Sequence, residues 1–316
     1  MPEKIKLGIS TCLLGEKVRY DGGHKLDRFL TDTLGRYVEY VPVCPEVECG
    51  LPVPRESLRL EGSPENPRLV APRSGTDHTG RMRSWALERL KELEGEDLCG
   101  FIFKSKSPSS GMERIKVYSG KGIPARNGVG IWARMFMERF PLLPVEDEGR
   151  LHDPGLRENF IERVFVFRRW RETVAGGMTP GRLVEFHTRH KLLIMSHGVE
   201  LYRELGRLVA GSGKDDTLTL YAAYLELLAR ALGLKTTVKK NVNVLYHLMG
   251  YFRKDLSGDE KQELLEIIGS YARGHLPLIV PVTLINHYVR KYGQPYLGSQ
   301  YYLNPHPLEL KLRTHV

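Results

Sequence analysis

The feature that most restricts the fold of this chain is the alternation, over its first hundred residues, of short apolar segments with longer amphipathic ones. Ile5-Lys6-Leu7-Gly8-Ile9-Ser10, Tyr37 to Val43, and Gly100-Phe101-Ile102-Phe103 have the length and residue types of strands. Lys25 to Leu34 and Gly80 to Glu94, between them, place apolar residues at helical spacing. Strands alternating with helices build βαβ units on a mostly parallel sheet, and ligands bind beyond the carboxyl ends of its strands. Each expected strand runs into a polar loop: Thr11-Cys12 with Gly15, then Cys44-Pro45-Glu46, then Lys104 to Gly111. Cys12, Cys44 and the Ser107 to Gly111 loop are therefore expected to converge.

Residues 142–155 are polar with Pro and Gly, and read as a boundary. Beyond it the pattern is helical, with segments at Asn159 to Trp170, Thr179 to Ala210, Leu218 to Leu232, Val238 to Arg253, Asp259 to Arg273 and Leu276 to Tyr292. Thr179-Pro180 is a start signal, and Gly211 and Gly233 are stops. The expected architecture is an α/β, Rossmann-like N-terminal domain over 1–145, followed by an all-α C-terminal domain over 155–316. A chain of 316 residues is comfortable as two domains.

The net charge of +9 is uneven. Residues 1–150 carry 24 Lys and Arg against 22 Asp and Glu, whereas residues 151–316 carry 23 against 16. A basic second half suits an acidic partner, nucleic acid above all, or serves only solubility. No stretch approaches the roughly 20 apolar residues that span a bilayer, and MPEKIKLGIS lacks a signal peptide's apolar core. The expected setting is the cytoplasm, with no membrane partner; nothing in the pattern sets an oligomeric state.

Cys12, Cys44, Cys49 and Cys99 all fall in the first third, three of them beside Gly or Pro. In a reducing compartment such cysteines serve metal binding or catalysis, or remain inert buried thiols. Glu46 stands two residues after Cys44, and Pro45 can open a helix whose dipole favours a thiolate at Cys44. Cys49 follows at a C-x4-C spacing, found in one iron–sulfur pattern. The hydroxyl-rich loop Lys104 to Gly111 is a cradle for an anion or a base, or an ordinary loop; Arg19 and Asp21 order each other or a substrate. His187, His190 and His197 lack a third ligand at metal spacing and read as core-edge or solvated residues. Arg168-Arg169-Trp170-Arg171 and Lys239-Lys240 read as helix faces, and as the places best suited to RNA phosphates. Trp132 and Phe136 read as core.

Four ordered motifs resemble those of the thiouracil desulfidases: Thr11-Cys12-Leu13-Leu14-Gly15, Val18-Arg19-Tyr20-Asp21-Gly22, Cys44-Pro45-Glu46-Val47 with Gly50-Leu51-Pro52 and Pro54-Arg55, and Lys104 with Ser107-Pro108-Ser109 and Gly111. Glu185-Phe186-His187-Thr188-Arg189-His190-Lys191, with Leu205-Gly206, resembles the YbgA-like helical domain found behind that module. Together they resemble fused proteins that remove sulfur from 4-thiouridine in tRNA. The resemblance implies a 4Fe–4S cluster on three cysteines with one iron open, a soft Lewis acid for the thiocarbonyl sulfur. It implies hydrolysis to uracil without net electron transfer, with Glu46 and Ser107 as the catalytic pair handling protons. It also implies tRNA, or a thiolated uracil nucleoside or base, as the partner.

One position departs from the family pattern. Ser110 stands where the third cluster cysteine is expected, and a serine oxygen is a harder ligand than a thiolate. Cys49 is the expected substitute, giving Cys12, Cys44 and Cys49 as the metal-binding set. Cys99 is an alternative, although it precedes its strand and so lies about 15 Å from the far end at ~3.3 Å per residue. Ser110 itself is another. The remaining reading is a non-catalytic tRNA-binding or sulfur-sensing protein with an incomplete cluster site.

Overall fold

The computed structural model describes residues 4–119, 123–212 and 216–315. One unit runs through Asp153 and a second begins at Pro154. The strands of the first are β1 (Ile5–Ser10), β2 (Val38–Val43), β3 (Arg59–Gly62), β4 (Pro67–Val70), β5 (Phe101–Phe103), β6 (Ile115–Tyr118), β7 (Ala125–Gly128) and β8 (Val145–Asp147). Its helices are α1 (Pro45–Glu48), α2 (Thr79–Glu94) and α3 (Ile131–Arg139).

The three expected strands pair in parallel, and β8 joins them in the order β2-β1-β5-β8. Apolar residues on both faces suit a sheet covered on both sides. Leu7, Ile9, Phe101, Ile102 and Phe103 are all buried. Gly8 is required there, because a Cβ would stand 2.2 Å from the Phe101 ring. Phe101 in turn packs on Phe136 of α3 at 4.6 Å between ring centroids, and Trp132 is fully buried beside them. Met82, Ala86, Leu90 and Leu93 form the buried stripe of α2 at helical spacing.

Three expectations change here. Residues 142–155 are more than a linker: β8 lies within them, so a first domain ending at 145 would cut the parallel sheet at its fourth strand. Lys25 to Leu34 is not an α-helix but a π-turn (Phe29–Thr33) followed by a 3₁₀ turn (Leu34–Arg36). Its first residues are bound elsewhere, Lys25 N–H donating to the Cys12 carbonyl (2.8 Å) and Asp27 N–H to that of Leu13 (3.0 Å). A second sheet, in the order β4-β3-β6-β7, falls in segments that carried no strand signal. Its strands are four residues long, too short for period-2 alternation to stand out. Leu60, Leu69, Ile115 and Val117 turn inward against Met82 and Ile131, while Lys116 and Tyr118 alternate outward.

The second unit is helical: α4 (Pro154–Ala175), α5 (Pro180–His197), α6 (Val199–Ala210), α7 (Thr217–Gly233), α8 (Val238–Tyr251), α9 (Gly258–Ala272), α10 (Ile279–Lys291) and the short α11 (Pro295–Gly298). Thr179 caps α5 through its hydroxyl, which accepts from Arg182 N–H, and Ser257 closes a capping box on α9. The segment expected as one helix over Thr179 to Ala210 breaks at Gly198, where the backbone is extended. Tyr302, from the irregular tail, is fully buried in this unit's core. Among the described residues no helix is long and apolar enough to cross a membrane.

The core of the second unit contains ionisable side chains. His197 Nε2 and Arg313 Nη2 each donate to the Glu162 carboxylate, at 2.6 and 3.1 Å, and His197 Nδ1 donates to the Leu234 carbonyl (2.6 Å). Burial alone would raise Glu162, but its interactions with His197 and Arg313 hold it down to about 2. Burial pulls His187 and His306 down to about 4. Released to ordinary values on unfolding, all three groups take up protons in the unfolded chain first. Their stabilisation is therefore complete above about pH 6.5 and declines toward pH 4 as the unfolded chain's histidines protonate. It declines again between about pH 4.5 and 2 through Glu162. Thermal unfolding followed by helical circular dichroism is expected to show a falling Tm on acidification across both windows; a Tm constant from neutrality to pH 4 would contradict the histidine assignment.

Candidate active site

A cavity of about 320 Å³ opens where β1, β2 and β5 end, and Cys12, Cys44, Glu46 and the Lys104 to Ser110 loop all line it. Cys12 sits in the 3₁₀ turn Thr11–Leu14 directly after β1. Cys44 follows β2 and precedes the single turn of α1. Parallel pairing of Ser10 with Val43 sets these two thiols side by side. The expected convergence of three strand ends is thus present.

Glu46 forms the polar wall. Its carboxylate takes a two-pronged ion pair from Arg55, with Nε at 2.9 Å and Nη2 closer, and accepts from Ser109 Oγ at 2.7 Å. Arg55 also reaches the Val18 and Pro52 carbonyls, which ties the Val18 to Asp21 loop to Glu46. Ser107 and Ser109 hydroxyls lie 3.0 Å apart, and Ser107 Oγ accepts from Ser110 N–H (3.1 Å). Because Ser109 gives its proton to Glu46, Ser107 must donate to Ser109. The chain runs in one direction, from the Ser110 amide through Ser107 and Ser109 to Glu46. Gly130 fixes this loop from behind, since a Cβ there would lie 2.4 Å from the Ser109 carbonyl oxygen. Glu148, after β8, holds the other end by accepting from Ser105 N–H (2.6 Å), Ser105 Oγ (2.8 Å) and the Lys104 ammonium.

The thiols depart from expectation in two ways. Burial pushes both Cys12 and Cys44 up to about 11, outweighing Lys104 near Cys12 and the one-turn helix at Cys44. The free thiols are therefore neutral, and a metal must displace their protons on binding. Cys49 does not line the cavity. Five residues beyond Cys44 on a helical turn, it is rotated by roughly 140°. Its Sγ donates to the Glu46 carbonyl (3.3 Å), and its side chain packs among Leu51, Leu60, Met82 and Val117. Cys99 lies before β5, at the other end of the sheet, and is buried. None of the four cysteines is in a disulfide.

The cavity lining thus offers two thiols, and beside the oxygens of Glu46, Ser107 and Ser109 that are tied to one another it includes Ser110, whose hydroxyl makes no hydrogen bond among the described residues. That set fits a cluster with two thiolate-bound irons and one oxygen-bound iron; it does not fit one with three thiolates from this chain. No group of three or more His, Cys, Asp or Glu close enough to hold a metal ion occurs among the described residues.

The sequence did not point to Ser109 or Glu148 as site residues, nor to Arg55 as the partner of Glu46. In the second unit, the candidate histidines are buried and bonded internally: His187 Nδ1 to Tyr224 Oη (3.0 Å), and His190 Nδ1 to the Phe186 carbonyl (2.7 Å). Much of the basic runs is likewise committed. Arg169 lies 3.9 Å over the Tyr301 ring, Trp170 is in the core, and Lys240 Nζ donates to the His197 carbonyl (2.6 Å).

An α/β unit with paired thiols, a carboxylate and a hydroxyl relay beyond its strand ends is the frame of a sulfur- or metal-handling enzyme. Residues 7–148 match the family model described as 2-thiouracil desulfurase, and residues 191–307 match that of a protein family of unknown function, DUF1722. The uncharacterized protein YbgA of Escherichia coli (strain K12) is 33% identical over 157 residues, 49% of this chain and 93% of that protein. A solved structure, the 4Fe–4S-dependent thiouracil desulfidase TudS, is 31% identical and covers 48% of this chain and 95% of its own, with a TM-score of 0.40. The chain belongs to the family that joins a 2-thiouracil desulfurase module to a YbgA-like domain.

Arg55 and Glu46 are buried partners, with side chains only 5% and 14% exposed. Arg55→Ala leaves the carboxylate unpaired and is expected to cost roughly 3 kcal/mol in urea unfolding. The double change Arg55→Leu with Glu46→Leu should cost less. A single variant as stable as the parent would show that the pair does not hold the wall together.

Proposed function

We propose that this chain removes the thiocarbonyl sulfur of a thiouracil moiety by hydrolysis, without net electron transfer, with 4-thiouridine in tRNA as substrate and uridine as product, in the cytoplasm. The observation that carries the reading is the meeting of two thiols from different strands with the Ser107–Ser109–Glu46 chain in one cavity. That cavity lies inside the stretch matched as 2-thiouracil desulfurase.

Cys12 and Cys44, with Ser110 as an oxygen donor, would hold a 4Fe–4S cluster. When bound, it supplies a soft Lewis acid with one open iron for the sulfur that departs. The other tasks fall to the chain itself. Glu46 takes a proton from the attacking water at Oε1, while Arg55 fixes the carboxylate's orientation. Once Glu46 holds that proton it can donate to Ser109, the relay through Ser109 and Ser107 reverses, and the proton can leave from Ser107 to the product. The apolar part of the lining, Val43, Pro45 and Pro108, offers a surface on which a flat base can lie.

The absence of a third cavity cysteine favours one rival, a tRNA-binding or sulfur-sensing protein without the reaction. Anaerobic purification separates the two. About four irons per chain, with loss of thiouridine absorbance on incubation with 4-thiouridine-containing tRNA, is the expected result. A colourless, iron-free protein that still binds tRNA would establish the rival. Cys12→Ser and Cys44→Ser should each lose iron, Cys49→Ser and Cys99→Ser should keep it, and Ser110→Cys should retain it longer in air. Iron loss in Cys49→Ser would overturn the ligand set. Glu46→Gln is expected to keep iron and lose roughly 100-fold or more in turnover.

A further inference from the structure

A second cleft, of about 720 Å³, adjoins the thiol cavity and shares Ser105, Lys106 and Pro108 with it as a common wall. Its floor is the outer face of the second sheet. In the parallel pairing of β3 with β6, Leu60 stands beside Val117, so Arg59 stands beside Lys116 one residue earlier. Across the antiparallel pairing, Lys116 stands directly opposite Arg126 of β7. Three cations thus form a row across three adjacent strands.

Like charges directly opposite in a sheet destabilise it, and within this row only Arg59 has a carboxylate beside it. Arg59 pairs with Glu61 (2.6 Å), and Arg150 at the edge pairs with Glu113 and Glu146. Lys106, Arg114, Lys116 and Arg126 are exposed and have no ion pair or hydrogen-bonded side-chain partner among the described residues. The acidic groups facing the cleft are Glu113, already paired, and Asp147. Neighbouring strands are ~4.8 Å apart, so the row extends about 10 Å, longer than a single phosphate group. Tyr118 stands on the same outward face, with the Arg59 guanidinium 4.8 Å over its ring. Cations flanking an aromatic face are the elements of a single-stranded nucleic-acid track.

We propose that this cleft holds the phosphodiester backbone of an RNA strand, with Lys116 and Arg126 against its phosphates and Tyr118 beneath a neighbouring base. The strand then delivers one unstacked base over the Ser105–Lys106–Pro108 wall into the thiol cavity. The assignment rests on the thiouracil reading of that cavity and adds the surface that selects a polymer over a free nucleoside.

The test is fluorescence anisotropy on the full chain with a labelled uridine-rich oligoribonucleotide of about 12 nucleotides, competed by uridine 5′-monophosphate. Lys116→Gln with Arg126→Gln should weaken oligonucleotide binding about tenfold or more and reduce the slope of log affinity against log salt by about 2. Tm should hold or rise, since a repulsion is removed. Lys116→Arg with Arg126→Lys should retain affinity. Arg83→Gln with Lys91→Gln removes the same charge from exposed α2 positions and should have little effect. Unchanged affinity in the first pair, or equal losses from both neutralising pairs, would overturn the cleft as the track. Competition by the mononucleotide at concentrations matching the oligonucleotide would overturn the choice of a polymer. Turnover does not enter this measurement, so a failure of desulfidation would leave its outcome readable.

Discussion

The parallel pairing of β1 with β2 is the constraint on which the rest of the first unit depends. Six consecutive residue pairs, from Ile5 with Val38 to Ser10 with Val43, put the two strand ends level. Cys12 and Cys44 come one or two residues after those ends, so the register itself brings the thiols together. A slip of one residue would turn every side chain of a strand to the opposite face. Gly8 beneath the Phe101 ring helps secure it, because the aromatic layer over the sheet closes only where a Cβ is missing.

Around that frame, polar groups with full sets of partners position the chemistry. Arg55 spends its donors on Glu46, Val18 and Pro52, and so joins the loop after β1 to the loop after β2. Glu148 does the same for the loop after β5, reaching back from the end of β8. The serine relay is directional for a simple reason: a carboxylate only accepts, so each hydroxyl in line must donate toward it. Burial that raises both thiols favours their neutral form in the free protein and couples metal binding to proton release.

The electrostatics of the two units differ from the picture that net charge suggests. The second unit is the more basic by count, yet several of its cations are turned inward or onto its own tail, as with Arg313 on Glu162 and Arg169 on Tyr301. The first unit is nearly balanced, yet its second sheet sets a row of cations beside the thiol cavity in which Lys116 and Arg126 have no ion pair among the described residues. Where charges are placed outweighs how many there are, because an internal pair contributes little field at a distance.

Sequence by itself determined the local chemistry and the main elements of this protein. The apolar strands, the stripes of α2 and α7, the cap at Thr179 and the strand-end positions of Cys12, Cys44 and the Ser107 loop follow from periodicity and turn chemistry, which act over a few residues. Tertiary structure decided what depends on distant partners. The four-residue strands of the second sheet exist only through pairing with one another, and β8 is a strand only because β5 lies beside it. The fate of Cys49 was decided the same way. Its spacing from Cys44 is compatible with a shared metal, but the turn of α1 rotates it into an apolar cluster and leaves Ser110 on the cavity wall. Spacing along a chain limits how far apart two residues lie; only the fold sets the direction in which each one points.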